Sequence, residues 1–575
     1  MVTVLGVNVG HDSSAALVED GRVIGAVEEE RFVDVKHYKG PPINSLNYVL
    51  SLTDPDEIDL VAIDGLILYA FREARRLYPA SVEGQAALSI LGKMARNWND
   101  NAALHFLLRA AAKMMGKPLS HLSELEPALQ RFKDKIVLVE HHHAHAMTAY
   151  CTKPWQEDTL VLTLDMYGDG LCASVNVGRG GNLTRVASSK GDASLGLLYT
   201  RVTKMLGLKP EEDEYKVMGL APYGRPDSVF KLLEGIIELP KGGLSFEGGS
   251  LMKGEGREIH TEFLRRRLAG ERFDNIAAGV QSLLERLACN WVENCVKHTG
   301  ISRVAGAGGV FLNVKMNQAI KQLGSVDDLF VYPVSTDSGG AIGAALEGYR
   351  WFCERDGLKP TYTPVSDLYL GPEYSDEQIA QALRSEGLEG SAKHLDDIDA
   401  DAAELVAKGK VVGRFRGREE LGPRALGNRS ILARADDHHM IKRINEKVKQ
   451  RTWWMPFAPT ILERRSDEYL VDGCSAPYMV LSFDTTEKRR EIEAAIHPYD
   501  LTCRPQTLDR KWNEAYYRLL SEYEKITGFG GLLNTSFNLH GHTMVLTPAQ
   551  AIWTFKNSGL DALALGNFLL EKNGS

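Results

Sequence analysis

Four histidines occur within five positions, at residues 141, 142, 143 and 145, although the whole chain contains only 16. His141 and His145 are four residues apart, so on a helix they share one face and can hold one metal ion between them. The alternative is a polar helix start whose histidines face solvent. Because imidazoles bind metal in their neutral form, we expect the affinity to fall in acid.

Two aspartates are the candidates for the remaining ligands. Asp165 and Asp337 each follow an apolar run and begin a turn that contains glycine. Two histidines with two aspartates suit Fe, Mn or Zn, and leave open positions for substrate oxygens. Taken alone, either aspartate is more often a turn or helix-cap residue.

Three glycine-rich loops, at 168–170, 306–309 and 338–340, each follow a β-like run. Glycines let backbone amides approach a phosphate closely. Turns alone explain such glycines often, but three loops in one region favour a nucleotide cleft. The sequence G-x-x-x-x-G-K-[ST] is absent, which excludes a P-loop enzyme.

The last 200 residues contain a second kind of site, in which basic residues stand beside Gly, Pro and Asn. They include Gly422-Pro423-Arg424, the run from Lys447 to Arg451, Arg504-Pro505-Gln506-Thr507 and Asn534-Thr535-Ser536-Phe537-Asn538. Arginine in such a setting can bind a planar or phosphorylated anion bidentately. The alternative is a set of solvated surface charges.

The elements that must position these residues follow an α/β pattern. A β-run, a loop of Gly, Asp and small polar residues and a returning β-run occur twice, with loops near Asn8 and Asp165, which indicates two related halves. Strands then alternate with helices, including a helix predicted over 275–298. Residues 71–132 are expected to be mostly helical. Gly and Pro cluster at 356–372, where we predict a domain boundary.

Composition restricts the class of protein. The 575 residues are 44% hydrophobic and 25% charged, as in ordinary globular proteins, and suggest several domains. The net charge of −9 disfavours general nucleic-acid binding, which needs a basic surface. Seven cysteines without CxxC spacing predict reduced thiols in a cytoplasmic protein. We expect neither a signal peptide nor a membrane span.

With these motifs in order, the chain resembles the ATP-dependent O-carbamoyltransferases of antibiotic and nodulation-factor biosynthesis. The resemblance extends over nearly the whole chain. It is carried by NVGHDSSAAL (8–17), EEERF (28–32), HHHAHA (141–146), TLDMYGDG (163–170), EYKVMGLAPYG (214–224), GGVFLN (308–313), TDSGGAIGAAL (336–346), GREELGPRALGNRSIL (417–432), PFAP (456–459), RPQT (504–507) and LNTSFN (533–538).

The resemblance implies an α/β fold with two domains. Residues 1–360 would form a duplicated actin-like ATPase domain, similar to threonylcarbamoyl-transferases, that binds ATP and an iron-type metal. Residues 361–575 would form an α+β domain similar to carbamoyl-adenylate synthases, and would bind carbamoyl phosphate.

The resemblance also implies the chemistry. Carbamoyl phosphate is cleaved to carbamate, ATP converts carbamate to carbamoyl-adenylate and pyrophosphate, and a hydroxyl or amine of a small natural product attacks the carbonyl carbon. The expected cofactors are ATP with Mg²⁺ and a divalent metal, Fe²⁺ ahead of Mn²⁺ or Zn²⁺. The partners expected are a small-molecule acceptor and a second copy of the chain, for which the helical stretch 71–132 could serve as the contact.

Residue roles are carried over position by position. The resemblance makes His141, His145, Asp165 and Asp337 metal ligands. It makes Gly168, Asp169, Gly308, Gly309, Asn313 and Gly339 nucleotide contacts, and Lys36, Arg424, Lys449 and Arg504 carbamoyl-phosphate contacts. His11 and Asp12 fall on the first loop, where the family places substrate contacts. His11 is our candidate general base, on the expectation of an ordinary pKa near 6.5.

Two positions depart from the family pattern. Met455 stands before PFAP and His540 follows LNTSFN, where the family usually has arginines. Losing a charge-assisted contact costs about 1.5–3 kcal/mol, so a different acyl donor stays open as a second hypothesis. A sugar-kinase-like phosphotransferase and an ATP-gated partner-binding module stay open too, but neither explains the paired histidines together with the arginine-rich motifs.

Overall fold

A computed structural model describes residues 1–65, 129–132, 134–252, 259–449 and 451–572. Apart from a short turn at Gln130–Phe132, the helical prediction for 71–132 lies outside these residues.

The first sheet contains five strands in the order β3-β2-β1-β4-β5. β1 and β2 pair antiparallel, as do β2 and β3, whereas β4 and β5 join parallel to β1. The central strand β1 is buried along its whole length, which explains its continuous apolar run. The strands are β1 (Thr3–Asn8), β2 (Ser14–Glu19), β3 (Arg22–Glu28), β4 (Leu60–Asp64) and β5 (Ile136–Val139).

The second sheet repeats this arrangement in the order β12-β11-β6-β7-β8. An antiparallel β6-β7-β8 meander is again followed by two parallel strands, so each strand has a counterpart in the first sheet. The strands are β6 (Thr159–Gly168), β7 (Leu171–Arg179), β8 (Asn182–Lys190), β11 (Arg303–Ala307) and β12 (Asp328–Val331), and a small pair, β9 (Ile237–Glu238) and β10 (Glu247–Gly248), lies between β8 and β11 in the chain. The two related halves predicted from the loops are therefore confirmed.

Helices connect and cover these sheets. The predicted helix at 275–298 is confirmed as α8, which ends at Gly300 in a left-handed cap. The helices of this part are α1 (Glu29–Val33), α2 (Ile43–Leu50), α3 (His141–Thr152), α4 (Leu195–Met205), α5 (Glu214–Leu220), α6 (Asp227–Leu233), α7 (Thr261–Arg267), α8 (Phe273–Thr299), α9 (Val314–Lys321) and α10 (Gly340–Arg355).

Helices α3 and α10 pack tightly against each other between the two sheets. A Cβ at Gly343 would lie 1.9 Å from the carbonyl oxygen of Ala144, so only glycine permits this approach. The contact holds the first turn of α10 beside the histidines of α3. The loop directly before α10, which contains Asp337, therefore also lies beside these histidines.

The remaining residues build a mixed eight-stranded sheet in the order β13-β20-β19-β14-β15-β18-β16-β17. Its strands are β13 (Lys393–His394), β14 (Val412–Phe415), β15 (Arg429–Ala433), β16 (Ala458–Leu462), β17 (Gln506–Leu508), β18 (Gly531–Ser536), β19 (Ala562–Leu565) and β20 (Phe568–Glu571). Its helices are α11 (Asp376–Ser385), α12 (Ile398–Ala407), α13 (His439–Ile444), α14 (Ser466–Tyr469), α15 (Glu514–Thr527) and α16 (Pro548–Lys556), and a π-helix spans Asn445–Lys449.

The predicted fold class is confirmed. Two α/β halves of the same arrangement are followed by an α+β part built on the mixed eight-stranded sheet. The division at 360/361 stays a prediction, since one cluster of buried apolar residues continues from β6 into the eight-stranded sheet. Among the described helices, none is both long and apolar enough to cross a membrane.

Candidate metal centre and anion pocket

The two outer histidines of the cluster share one face of α3. The helix begins directly after β5, where Glu140 accepts from His143 N at 2.8 Å and Asp169 Oδ2 accepts from His141 N at 2.9 Å. These caps fix the first turn. The buried side chains of His141 and His145 then converge, with their Nε2 atoms 3.1 Å apart.

The two predicted aspartates reach the same point from two strands of the second sheet, since Asp165 lies in β6 and Asp337 follows β12. Asp165 Oδ2 lies 3.3 Å from His141 Nε2, and Asp337 Oδ1 lies 3.6 Å from that atom and 3.5 Å from His145 Nε2. One ligand atom of each of the four residues lies within 4.8 Å of the others. The structure therefore brings the four residues together, and their role as metal ligands stays a prediction.

The surroundings of His141 fit such a role. A Cβ at Gly168 would lie 1.9 Å from His141 Cδ2, so this glycine leaves room for the ring. Asp64 Oδ2 lies 3.5 Å from His141 Nδ1, and neither oxygen of this carboxylate makes a hydrogen bond within the described residues. A carboxylate on the second ring nitrogen is the usual way to orient a metal-binding histidine. Burial lowers the pKa of His141, but the charges of Asp64 and Asp337 outweigh it and raise this pKa well above its ordinary value.

The other two histidines of the cluster have structural partners. His142 Nδ1 bonds Thr163 Oγ1 at 2.7 Å inside the second sheet. His143 Nε2 lies 3.2 Å from the buried carboxylate of Glu347. Only His141 and His145 therefore face Asp165 and Asp337.

The predicted glycine contacts border this centre. Gly309 N donates to Asp165 Oδ1 at 3.0 Å, and Gly308 has a φ of +100° that favours glycine. Gly339 accepts from Thr148 Oγ1 of α3 at 3.1 Å. With Gly168, these loops surround the four ligand candidates, and their contact with a nucleotide stays a prediction.

Two predicted nucleotide contacts use their side chains inside the protein. Asp169 caps α3, as described above. Asn313 Oδ1 caps α9 by accepting from Met316 N at 2.9 Å, and its amide exchanges hydrogen bonds with Gln281 at 2.8 and 2.9 Å. These two side chains position the loops, and a direct nucleotide contact by either stays a prediction.

The first loop places two imidazoles on one carboxylate. Asp12 Oδ2 lies 3.1 Å from His11 Nδ1, and Asp12 Oδ1 lies 2.7 Å from His37 Nδ1. The Asn8 amide ties this loop to the metal centre, because it donates to the carbonyl oxygens of both His11 and Asp337 at 2.8 and 2.9 Å. Asp12 has a φ of +51°, and its counterpart in the second half, Asp169, has +49°.

The expected ordinary pKa for His11 is wrong. Burial lowers the pKa of His11, but the hydrogen bond and charge of Asp12 outweigh it and raise this pKa to about 9. His11 is therefore protonated at neutral pH in the free protein, and only its minor neutral form can accept a proton.

A cluster of cations, most of them half-buried, lies mainly in the C-terminal part. Burial lowers the pKa of Arg504 well below its ordinary value, and the charges of Arg424 and Arg451 lower it further. Burial lowers the pKa of Lys449 in the same way, with help from Arg451 and Lys36. The four predicted anion contacts thus lie near one another, together with Arg451; we call these five residues the anion pocket.

Arg451 lies close to Met455, one of the two positions where the family usually has arginine. Met455 is buried, and four residues before it Arg451 places its guanidinium 4.2 Å from the Phe457 ring of PFAP. Burial lowers the pKa of His540, and the charges of Lys216 and Lys36 lower it further, so this residue lies near Lys36 of the pocket. The pocket therefore keeps a third arginine despite Met455.

Sequence reasoning missed two residues of these sites. Asp64 ends the apolar strand β4, which is the same signal that identified Asp165. Arg451 belonged to a basic run, but nothing in the sequence separated it from its neighbours.

The fold and the two sites define an α/β protein with a histidine–aspartate centre and a separate cluster of cations. Comparison with known proteins gives the family. The model of the carbamoyltransferase N-terminus matches residues 3–346, and that of the carbamoyltransferase C-terminus matches residues 403–572. The chain belongs to the carbamoyltransferase family and is a carbamoyltransferase, which confirms the resemblance.

Several relatives match over most of their length. The nodulation protein NolNO of Sinorhizobium fredii is 34% identical over 98% of this chain and 79% of its own. The nodulation protein NolO of Bradyrhizobium diazoefficiens is 36% identical over 76% of this chain and 79% of its own. An uncharacterised protein of Synechocystis is 31% identical over 100% of this chain and 97% of its own.

Solved structures match only distantly. Full-length HypF in a phosphate- and nucleotide-bound form is 14% identical over 62% of this chain and 56% of its own, with a TM-score of 0.31. A ROK hexokinase from Thermus thermophilus is 15% identical over 61% of this chain and 100% of its own, with a TM-score of 0.27.

Proposed function

We propose that this carbamoyltransferase uses carbamoyl phosphate and ATP to make carbamoyl-adenylate, and transfers the carbamoyl group to a hydroxyl or amine of a small natural product. The anion pocket carries the proposal. Within the described part of the chain, Arg424, Arg451 and Arg504 make no ion pair, and Arg451 Nε donates to Asn445 Oδ1 at 2.8 Å. Half-buried cations without a carboxylate partner can bind an anion, so an anionic substrate is the natural partner.

The first step takes place in the anion pocket. Arg424, Arg451 and Arg504 bind the phosphate group of carbamoyl phosphate, and Lys449, whose Nζ donates to Ser536 Oγ at 2.9 Å, lies beside them. Water cleaves the substrate into carbamate and phosphate. The protein then has to keep carbamate away from bulk water, where it decomposes.

The second step takes place at the metal centre. The backbone amides of the loops at 168–170, 308–309 and 338–340 bind the ATP phosphates. His141, His145, Asp165 and Asp337 would hold a divalent metal, Fe²⁺ ahead of Mn²⁺ or Zn²⁺, which would supply charge stabilisation at phosphate oxygens, and Mg²⁺ would accompany ATP. A carbamate oxygen attacks the α-phosphorus, and pyrophosphate leaves.

The third step involves the first loop. The acceptor hydroxyl attacks the carbonyl carbon of carbamoyl-adenylate, AMP leaves, and the hydroxyl proton passes to a base. His11 is proposed for this role, since Asp12 orients its Nδ1 and its Nε2 makes no hydrogen bond among the described residues. Its raised pKa makes this step faster at alkaline pH.

A second candidate keeps the adenylate chemistry and changes the acyl donor. The observation that favours it is the pair of departures, Met455 and His540, at the edge of the anion pocket. We further propose a cytoplasmic location, because all seven cysteines are unpaired.

Phosphorus-31 NMR of a reaction with ATP, carbamoyl phosphate and Fe²⁺ tests the proposal. We expect AMP, pyrophosphate and phosphate, with pyrophosphate formation dependent on carbamoyl phosphate. If other carboxylates or acyl phosphates replace carbamoyl phosphate more effectively, the second candidate is correct. ADP as the nucleotide product would contradict both and favour phosphotransfer.

A further inference from the structure

One buried arginine of the EEERF segment contacts several parts of the molecule. Arg31, in α1, has a side chain that is only 5% exposed. Its Nη2 donates to Glu28 Oε2 and to the carbonyl oxygen of Gly422, each at 2.7 Å. Its Nη1 lies 2.9 Å from Glu30 Oε1, and its Nε lies 3.3 Å from Glu419 Oε1. All of its nitrogens therefore face a carboxylate or a carbonyl group.

The first connection leads to the metal centre. The second oxygen of Glu28 accepts from Ser338 Oγ at 2.8 Å. Ser338 follows the ligand candidate Asp337 directly, and its carbonyl oxygen accepts from Ser14 Oγ at 2.8 Å. Arg31 thus fixes the carboxylate that holds the loop of Asp337.

The second connection leads to the histidine pair of the first loop. The second oxygen of Glu30 accepts from His37 N at 2.8 Å. His37 in turn holds Asp12 through Nδ1, and Asp12 orients His11. Arg31 thus fixes the carboxylate that holds His37.

The third connection leads to the anion pocket. Gly422 lies two residues before Arg424 and has a φ of +97°. A Cβ at Gly422 would lie 3.0 Å from Val334 Cγ2, so the segment that carries Arg424 packs against the loop that leads to Asp337. This contact is independent of the hydrogen bonds and adds a second link between the segment of Arg424 and the segment of Asp337.

The charges at this point make an arginine necessary. Burial raises the pKa of Glu28 and raises that of Glu419 to about 8. Neither oxygen of Glu419 has a hydrogen-bond partner among the described residues. The planar guanidinium of arginine can donate hydrogen bonds to several carboxylates at once, whereas the single ammonium of lysine cannot reach them all.

We propose that Arg31 is a positioning residue that holds the anion pocket, the metal centre and the His11 loop in fixed positions relative to one another. Carbamate released in the pocket is then consumed by adenylation. The inference rests on the proposed function. When the relative position of these sites is lost, carbamate escapes before it is adenylated. The enzyme then releases phosphate without an equivalent amount of pyrophosphate.

The variant Arg31→Lys tests this coupling when released phosphate and pyrophosphate are measured in the same reaction. Hydrogen-bond networks of this kind change coupling by about 2- to 30-fold, and we expect the phosphate-to-pyrophosphate ratio to rise within that range. Arg465→Lys is the matched control, because Arg465 also joins two carboxylates, Glu468 and Glu524, and a carbonyl group, that of Gly528. Its ratio should equal that of the wild type.

Ser338→Ala provides a milder variant in case Arg31→Lys does not fold. It removes the hydroxyl that reaches Glu28, and its ratio should rise in the same direction. A wild-type ratio in Ser338→Ala, or in folded Arg31→Lys, would overturn the proposal, since a purely structural role lowers both products equally.

A binding measurement separates this inference from the proposed function. The affinity of the metal centre for Zn²⁺, measured by competition without ATP, should fall by about 2- to 30-fold in Arg31→Lys or, if that variant does not fold, in Ser338→Ala, and stay constant in Arg465→Lys. This result does not require adenylate chemistry. An unchanged affinity would overturn the proposed link to the metal centre even if the wild type makes pyrophosphate.

Discussion

The Nε2 atoms of His141 and His145 lie 3.1 Å apart, and neither imidazole is exposed to solvent to a significant extent. Two nitrogens at about 2.0–2.1 Å from one ion in tetrahedral geometry would be separated by about 3.3 Å. The spacing on α3 therefore already matches a pair of ligands on a common ion.

The first prediction concerns the glycine under His141. In Gly168→Ala the added Cβ would lie 1.9 Å from His141 Cδ2, so the ring has to move away from Asp165. We expect the affinity for divalent metal to fall by about 10- to 100-fold, as for other disturbed ligand orientations. Competition titration with Zn²⁺ measures the change. Gly324→Ala is the control, because a Cβ there meets nothing within 4 Å; equal affinities in the two variants would contradict the assignment.

The second prediction concerns the carboxylate behind His141. Asp64→Asn keeps the shape but removes the charge that lies 3.5 Å from His141 Nδ1. We expect metal affinity to fall by about 10-fold or more while the fold is retained. Metal analysis of the purified variant, with circular dichroism to confirm folding, checks this. Full metal content would show that Asp64 does not orient the ring.

The third prediction concerns the anion pocket. Arg504→Gln removes one of several half-buried charges that repel each other, so the ligand-free protein should melt at a higher temperature. The same change should raise the KM for carbamoyl phosphate by about 10- to 100-fold. Thermal unfolding with and without carbamoyl phosphate and steady-state kinetics measure the two effects.

The exposed Arg490 provides the control for this experiment, and Arg490→Gln should change neither quantity. A normal KM in Arg504→Gln would place carbamoyl phosphate elsewhere. A lower melting temperature would show that Arg504 has a stabilising partner.

The fourth prediction concerns pH. A base with a pKa of about 9 is mostly protonated at neutral pH, so the rate of carbamoyl transfer should rise about tenfold per pH unit until pH 9. Asp12→Asn removes the hydrogen bond and the charge that raise this pKa, so the midpoint should move to lower pH. Single-turnover transfer rates between pH 6 and pH 10 measure the profile. A midpoint that does not move in Asp12→Asn would exclude His11 as the base.

Local patterns were sufficient to predict much of the fold. The hairpins after Val2 and Thr159 and the helix over 275–298 follow from periodicity and turn residues, and the structure confirms them. The spacing of His141 and His145 also indicated a shared helix face. Their partners Asp165 and Asp337 could be proposed because strand ends gather at one edge of a sheet.

Contacts between distant segments could not be predicted in this way. The approach of Asp64 to His141 depends on the register of β4 beside β5, and the packing of Gly422 on Val334 joins segments 88 residues apart in the chain. The prediction of an ordinary pKa for His11 was wrong for the same reason, since this pKa depends on the orientation of Asp12, which has a left-handed backbone conformation. Sequence spacing carries no information on such orientations.

Direct detection of carbamoyl-adenylate tests the central claim. The enzyme is incubated with Fe²⁺, ATP and ¹³C-labelled carbamoyl phosphate without an acceptor, quenched and analysed by mass spectrometry. We predict a labelled adduct of AMP that forms in the wild type and is absent in Asp337→Ala. Consumption of carbamoyl phosphate with ADP as the nucleotide product and no labelled AMP adduct would contradict the account.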